Sequence, residues 1–176
     1  MILNQTIRYN YIAQGQANKQ ETIYNKIAYK IFKQEYSSTD EIINSLLNAD
    51  LEVTDDEFIS KFSKKQFASD AIDRYILAKI EELYNPHNKI DYDHETIEHI
   101  TDRNFDPEYI NRIGNLTLLT ERDNQNLSGK SYAQKRDFYL SHSKKIVNMI
   151  NSELWDIDSV NERSRVLAIA ANEIFK

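Results

Sequence analysis

The sequence predicts an α+β fold, mostly helical, in which a helical scaffold carries one small unit of two strands and a helix. Three observations predict it. Glycine occurs three times and proline twice in 176 residues, too few for the tight turns of an all-β protein. Apolar residues recur at helical spacing through most of the chain. Two short stretches, "TIEHI" at 96–100 and "GNLTLLT" at 114–120, instead read as strands. One domain is expected over 1–176, comprising a helical scaffold (1–88), a strand-and-helix core (89–142) and C-terminal helices (143–176).

The elements follow in order. The first about 18 residues are polar and rich in Asn and Gln, and read as a strand or an arm. Ile23, Ile27 and Ile31 then recur at helical spacing, with Tyr24, Ala28 and Phe32 widening the face. "SSTDEII" opens a second helix with Ser38 or Thr39 as its cap, and "TDDEF" a third, where Thr54 and Glu57 have capping-box spacing. Ile72, Tyr75, Ile76, Ile80 and Leu83 build a longer helix, which Pro86 cannot continue. Past "TIEHI", "DPEYINRI" reads as a short helical turn, and Gly114 leads into the second strand. "YAQKRDFYL", "KKIVNMINSELW" and "SVNERSRVLAIAANEIF" are three further helical segments, the last with Val160, Leu167, Ala171 and Ile174 on one stripe.

Composition narrows the function. Hydrophobic residues at 40% and charged residues at 28% exclude a disordered chain. No apolar run approaches the roughly 20 residues of a membrane span, and "MILNQTIRYN" lacks the features of a signal peptide. The absence of cysteine excludes disulfides, thiolate zinc sites and a cysteine nucleophile, and fits a reducing compartment. A cytoplasmic location without membrane contact is therefore expected, and any metal must sit on oxygen and nitrogen ligands. The net charge is −6, yet residues 99–145 carry eight basic against six acidic side chains. That local excess permits a phosphate-binding face.

The chemistry concentrates around "TIEHI". Glu98 and His99 lie on the first strand, Asn115 begins the second, and Asn124 falls nine residues later, in the first helical turn beyond it. This spacing brings Asn124 back beside the first strand. A hard divalent cation on Glu98 and Asn124 could then stabilise charge on a phosphodiester. His99 could take a proton from attacking water, a task suited to an imidazole. Asn115 could bridge backbone groups and hold the histidine-bearing segment. Adjacent strand residues point to opposite faces, so both groups reach one metal only if the strand end twists, bulges or turns. Upstream, "DYDHETIEH" places Asp91, Asp93, His94 and Glu95 together. His94 is thus an additional candidate, although such charge runs are more often solvated loops. His142 is expected as a cation at a helix end.

The run "IEHI…NRIGNLTLLTERDNQNLSGKSYAQKR" resembles the HNH nuclease motif in the C-terminal domain of GmrSD-type restriction endonucleases, a family of DNA-targeting phage-defence proteins. The similarity is densest over 96–136. It extends weakly through Trp155 and "ERSRVLAIA" to the end, and back into 70–84. The resemblance implies a ββα-metal (HNH) unit with one divalent metal, Mg²⁺ or Mn²⁺, and hydrolysis of DNA by nicking or double-strand cleavage. His99 matches the general base, Glu98 the metal ligand beside it, Asn115 the middle Asn that positions the base, and Asn124 the last metal ligand. Lys135 and Arg136 match a basic pair for which phosphate contact is expected, and Lys130 joins them as a DNA-binding candidate.

Two departures stand out. The family commonly has Pro two residues after "EHI", where this chain has Asp102; that residue could add a carboxylate near the metal. Relatives usually carry a large N-terminal nucleotide-hydrolysing domain that governs targeting. The expectation here is an excised fragment or a stand-alone nuclease domain, partnered by DNA (modified or phage DNA) and by such a targeting domain or subunit. The alternative is a catalytically degenerate HNH-fold module that docks to a DNA-targeting subunit.

Overall fold

A computed structural model describes residues 1–68, 71–87, 90–101 and 105–176. Asp102, the additional carboxylate candidate, lies outside the described residues. The fold is mostly helical with a small two-stranded antiparallel hairpin embedded in it. The chain forms two compact units, one of Met1–Phe58 with Phe175–Lys176, the other of Ile59–Ile174.

In the first unit, α1 (Ile2–Gln5) runs into a wider π-type segment, Thr6–Ile12, followed by α2 (Ala17–Phe32) and α3 (Thr39–Leu47). The expected N-terminal strand or arm is therefore helical. Its buried residues, Ile7 and Ile12, lie five apart. That is the spacing of a π turn, and a search for 3.6- or 2-residue periods passes over it. Gln20, nearly fully buried, ties this segment to α2 by donating to Thr6 Oγ1 at 3.1 Å and to the Tyr24 hydroxyl at 2.8 Å. On α2 only Ile27 of the anticipated apolar stripe is buried, while Ile31 and Phe32 are exposed. Ser38 caps α3 by accepting from the Glu41 amide. Thr54 accepts from the Glu57 amide at the start of α4 (Asp55–Lys64), as its spacing anticipated.

In the second unit, α5 (Ala71–Tyr84) supplies Ile76, Leu77 and Ile80 to the core. Its inward face is rotated from the sequence expectation: Ile72 is exposed, while Glu81 is fully buried and accepts from the Ile146 amide at 2.8 Å. Strand β1 (Glu95–His99) pairs antiparallel with β2 (Leu116–Thr120), Glu98 opposite Thr117 and His99 opposite Leu116. Leu116, Leu118 and Leu119 are all fully buried, so β2 has no solvent face. Helix α6 (Glu121–Leu127) follows β2 directly and packs back on both strands, its first turn capped by Thr120 accepting from the Asp123 amide at 3.2 Å. Then come α7 (Tyr132–Ser141), α8 (Lys145–Asn148) and α9 (Ile157–Ile174), the last packed on α5 and on the 3₁₀ turn Ile113–Asn115. The segment 144–155, expected as one helix, holds only the single turn of α8. The Ser152 carbonyl instead accepts from Tyr132 Oη at 2.6 Å and Arg136 Nε at 2.9 Å, which fixes the chain beyond it in a non-helical course. Among the described residues, no helix is long and apolar enough to cross a membrane.

Candidate active site

The hairpin is held at its connected end, where β1 leads on toward β2, by the Gly-Asn pair. A Cβ on Gly114 would collide with the Val160 carbonyl oxygen of α9, so only glycine admits this approach. Its amide donates to Ser164 Oγ at 3.0 Å. The Asn115 side chain is fully buried and uses both ends. Its Oδ1 accepts from Thr101 N at 3.2 Å, Thr101 Oγ1 at 3.1 Å and Trp155 Nε1 at 3.2 Å, while Nδ2 donates to the Ile110 carbonyl at 2.9 Å. One carboxamide therefore clamps both ends of the connection that follows His99. Arg163, buried on α9, donates to the carbonyls of Ile113, Gly114 and Leu116 at 2.8–3.2 Å and fixes the start of β2 from the other side. Burial pushes its guanidinium pKa down to about 10, which still leaves it charged at neutral pH.

This frame presents a cleft of about 730 Å³, bordered by Glu98, His99, Asn111, Asn124, Lys130 and Lys135 among others. Although Glu98 and His99 are neighbours on a strand, both reach this one space. His99 Nε2 lies 3.0 Å from Asn111 Oδ1. A carboxamide oxygen only accepts, so Nε2 carries a proton here, and in a neutral ring the lone pair falls on Nδ1. Asn124 Nδ2 donates to Thr96 Oγ1 at 2.9 Å and to the Ile97 carbonyl at 3.2 Å, which seats α6 against β1. Among the described residues nothing donates to Asn124 Oδ1.

Glu98 is nearly buried. Its Oε1 accepts from Lys135 Nζ at 2.6 Å and from the Tyr139 hydroxyl at 3.3 Å, and no described residue bonds to Oε2. Lys135 Nζ also donates to the His99 carbonyl at 3.0 Å. Burial, and after it the Glu98 charge, pushes the Tyr139 phenol up, so it remains a neutral donor.

Among the described residues there is no cluster of three or more His, Cys, Asp or Glu side chains able to hold a metal. The donor set at the cleft is of another kind, one carboxylate oxygen and one carboxamide oxygen to which no described residue donates. Hard oxygens of this number suit a Mg²⁺-type ion, which takes few protein ligands and completes its shell with water and phosphate.

The other expected residues are placed as follows. Lys130 is exposed at the rim of the cleft. Lys135 is buried on Glu98, and Arg136 donates to the carbonyls of Ser152 and Asn151. His94 is exposed, 2.7 Å from Asp91, whose hydrogen bond raises its pKa; it does not border the cleft. His142, expected as a helix-end cation, instead favours its neutral form: its Nδ1 accepts from the Lys144 amide at 3.0 Å, and burial followed by the Lys144 charge lowers its pKa. Asn111, Tyr139 and Arg163 escaped the sequence reading. Only the nearness of Asn111 to the Gly-Asn pair could have drawn attention to it.

A mostly helical domain with a hairpin and a following helix packed back on it has an architecture compatible with an HNH-like fold. The family described as GmrSD restriction endonucleases, C-terminal domain, matches residues 52–169, well over half of the chain. The chain belongs to that family. No curated protein matches it.

Proposed function

We propose that this domain is a metal-dependent HNH-type endonuclease that hydrolyses DNA phosphodiester bonds, by nicking or double-strand cleavage, in restriction or anti-phage defence. The observation that carries the proposal is the shared cleft. The imidazole of His99, Glu98 with its open oxygen and Asn124 with its open carbonyl oxygen border one space. Membership of a restriction-endonuclease family supports the same reading.

His99 Nδ1 takes a proton from water as the water oxygen bonds to phosphorus, the P–O ester bond breaks, and the departing oxygen takes its proton from solvent water. Asn111 holds the ring through Nε2, and Asn115 holds the backbone on either side of the connection beyond it. Glu98 and Asn124 would hold one divalent cation, Mg²⁺ or Mn²⁺, which when bound supplies charge stabilisation to a phosphate oxygen. Lys130, on the rim, is available to the DNA backbone. Modified or phage DNA and a nucleotide-hydrolysing targeting subunit are the proposed partners.

One observation favours a second reading. The buried Lys135 on Glu98 resembles a site closed to metal, as suits a catalytically degenerate HNH-fold module docked to a DNA-targeting subunit. Plasmid nicking separates the two. The wild type is expected to nick with Mg²⁺ or Mn²⁺, and His99→Ala to lose about 100-fold or more with unchanged thermal unfolding. Cleavage retained by His99→Ala would sink the catalytic assignment, and a wild type without metal-stimulated cleavage favours the docking module.

A further inference from the structure

We propose that Lys135 is the resident cation of this site: its ammonium positions the Glu98–His99 peptide and competes with a divalent metal for Glu98. The inference rests on the metal-dependent reading above. Lys135 is only 4% exposed, although a lysine in a polar, helical stretch ordinarily reaches into water. Its Nζ donates to the Glu98 carboxylate at 2.6 Å and to the His99 carbonyl at 3.0 Å. One ammonium thus grips, side by side, the residue assigned to metal and the backbone of the residue assigned to base.

The grip is one-sided. Lys135 and Tyr139 both use Oε1, and Oε2 remains open among the described residues. The same strand offers a contrast. Glu95 is buried with Lys144, whose Nζ lies 2.7 Å from one carboxylate oxygen and 2.9 Å from the other, and neither residue borders the cleft. A carboxylate engaged at both oxygens is neutralised and closed. One engaged at a single oxygen is oriented yet still able to bind. A divalent ion bound through the other oxygen of Glu98 shares that carboxylate with the ammonium, and like charges across one carboxylate repel. Removing the ammonium therefore strengthens metal binding while loosening the geometry that turnover needs. Loss of a ligand would weaken both.

Mn²⁺ binding followed by electron paramagnetic resonance tests this on the full chain. Lys135→Gln is expected to bind Mn²⁺ about tenfold more tightly or better, and to nick DNA more slowly at saturating metal. Lys144→Gln is expected to match wild-type affinity. Equal or weaker Mn²⁺ binding by Lys135→Gln overturns competition, and unchanged nicking at saturation overturns positioning. A wild type and a Lys135→Gln variant that both bind no Mn²⁺ overturn the metal reading itself, a result distinct from equal binding. Should Lys135→Gln fail to fold, lysine side-chain NMR of the wild type decides. Mg²⁺ is expected to shift the Lys135 Nζ resonance and leave that of Lys144 in place; a Lys135 resonance unmoved by bound Mg²⁺ overturns the proposal.

Discussion

Strand β1 carries two buried glutamate–lysine pairs three residues apart, and they differ in how each carboxylate is engaged. Glu95–Lys144 and Glu98–Lys135 have nearly the same separation, 2.7 and 2.6 Å, and every partner is less than a tenth exposed. Distance and burial therefore do not separate them. What does is the second carboxylate oxygen, which Lys144 also engages on Glu95 and which Glu98 keeps open. A buried ion pair adds little net stability, because desolvating two charges offsets their attraction. The closed pair is thus read as a structural tie between the hairpin and the chain at α8. The half-open pair keeps a charged oxygen where water alone would let the side chain wander.

The largest effect expected from this difference is on turnover. Glu98→Gln keeps the shape but removes the charge offered to a metal, and plasmid nicking is expected to fall about 100-fold or more. Glu95→Gln is expected to lower stability while leaving turnover of the folded protein unchanged. Comparable losses of turnover in both variants would erase the distinction between the pairs.

Next in size is a stability effect. Lys144→Met strands the Glu95 carboxylate in the core and is expected to cost about 3–5 kcal/mol by urea unfolding. Adding Glu95→Leu removes the stranded charge as well, and stability should return to near the wild-type value with nicking intact. The corresponding Glu98→Leu/Lys135→Met replacement should recover stability in the same way yet remain inactive. A closed pair that cannot be replaced by apolar residues would mean that Glu95 does more than hold the hairpin.

Sequence alone carried the hairpin, most of the helices and the two caps at Ser38 and Thr54, because alternation, helical spacing and Ser or Thr placed three residues before an acidic residue are local signals. The nine-residue step from Asn115 to Asn124 also sufficed to set Asn124 beside β1, since a strand followed at once by a helix has little freedom of direction. Lys135 was legible only as half of a basic pair. Its burial depends on a carboxylate 37 positions away and on a tyrosine one turn further along α7. Asn111 sits in a connection without a period, and its contact with His99 arises only once Asn115 has closed that connection. The N-terminal segment was misread for a similar reason, its polar composition masking a core contact spaced at five residues.

The smallest effect sharpens the closed end of the comparison. His142 stands beside Lys144, and burial and that neighbouring ammonium lower its pKa, while Asp123 and Glu81 oppose the shift more weakly. Its Nδ1 already accepts from the Lys144 amide, a bond that a doubly protonated ring loses. An unfolded chain takes up the proton near pH 6.5, whereas the folded chain takes it up only at lower pH. In that window the unfolded state binds more protons, so stability falls as pH falls. His94, whose pKa is raised by Asp91, acts with the opposite sign but is exposed and common to the chains compared. The urea midpoint of the wild type should therefore drop more between pH 7.5 and 5.5 than that of His142→Gln, which does not titrate in this range. The gap should narrow in the Glu95→Leu/Lys144→Met background, where the repelling ammonium is gone. Parallel pH profiles in wild type and His142→Gln would show that the imidazole senses neither its burial nor the closed pair.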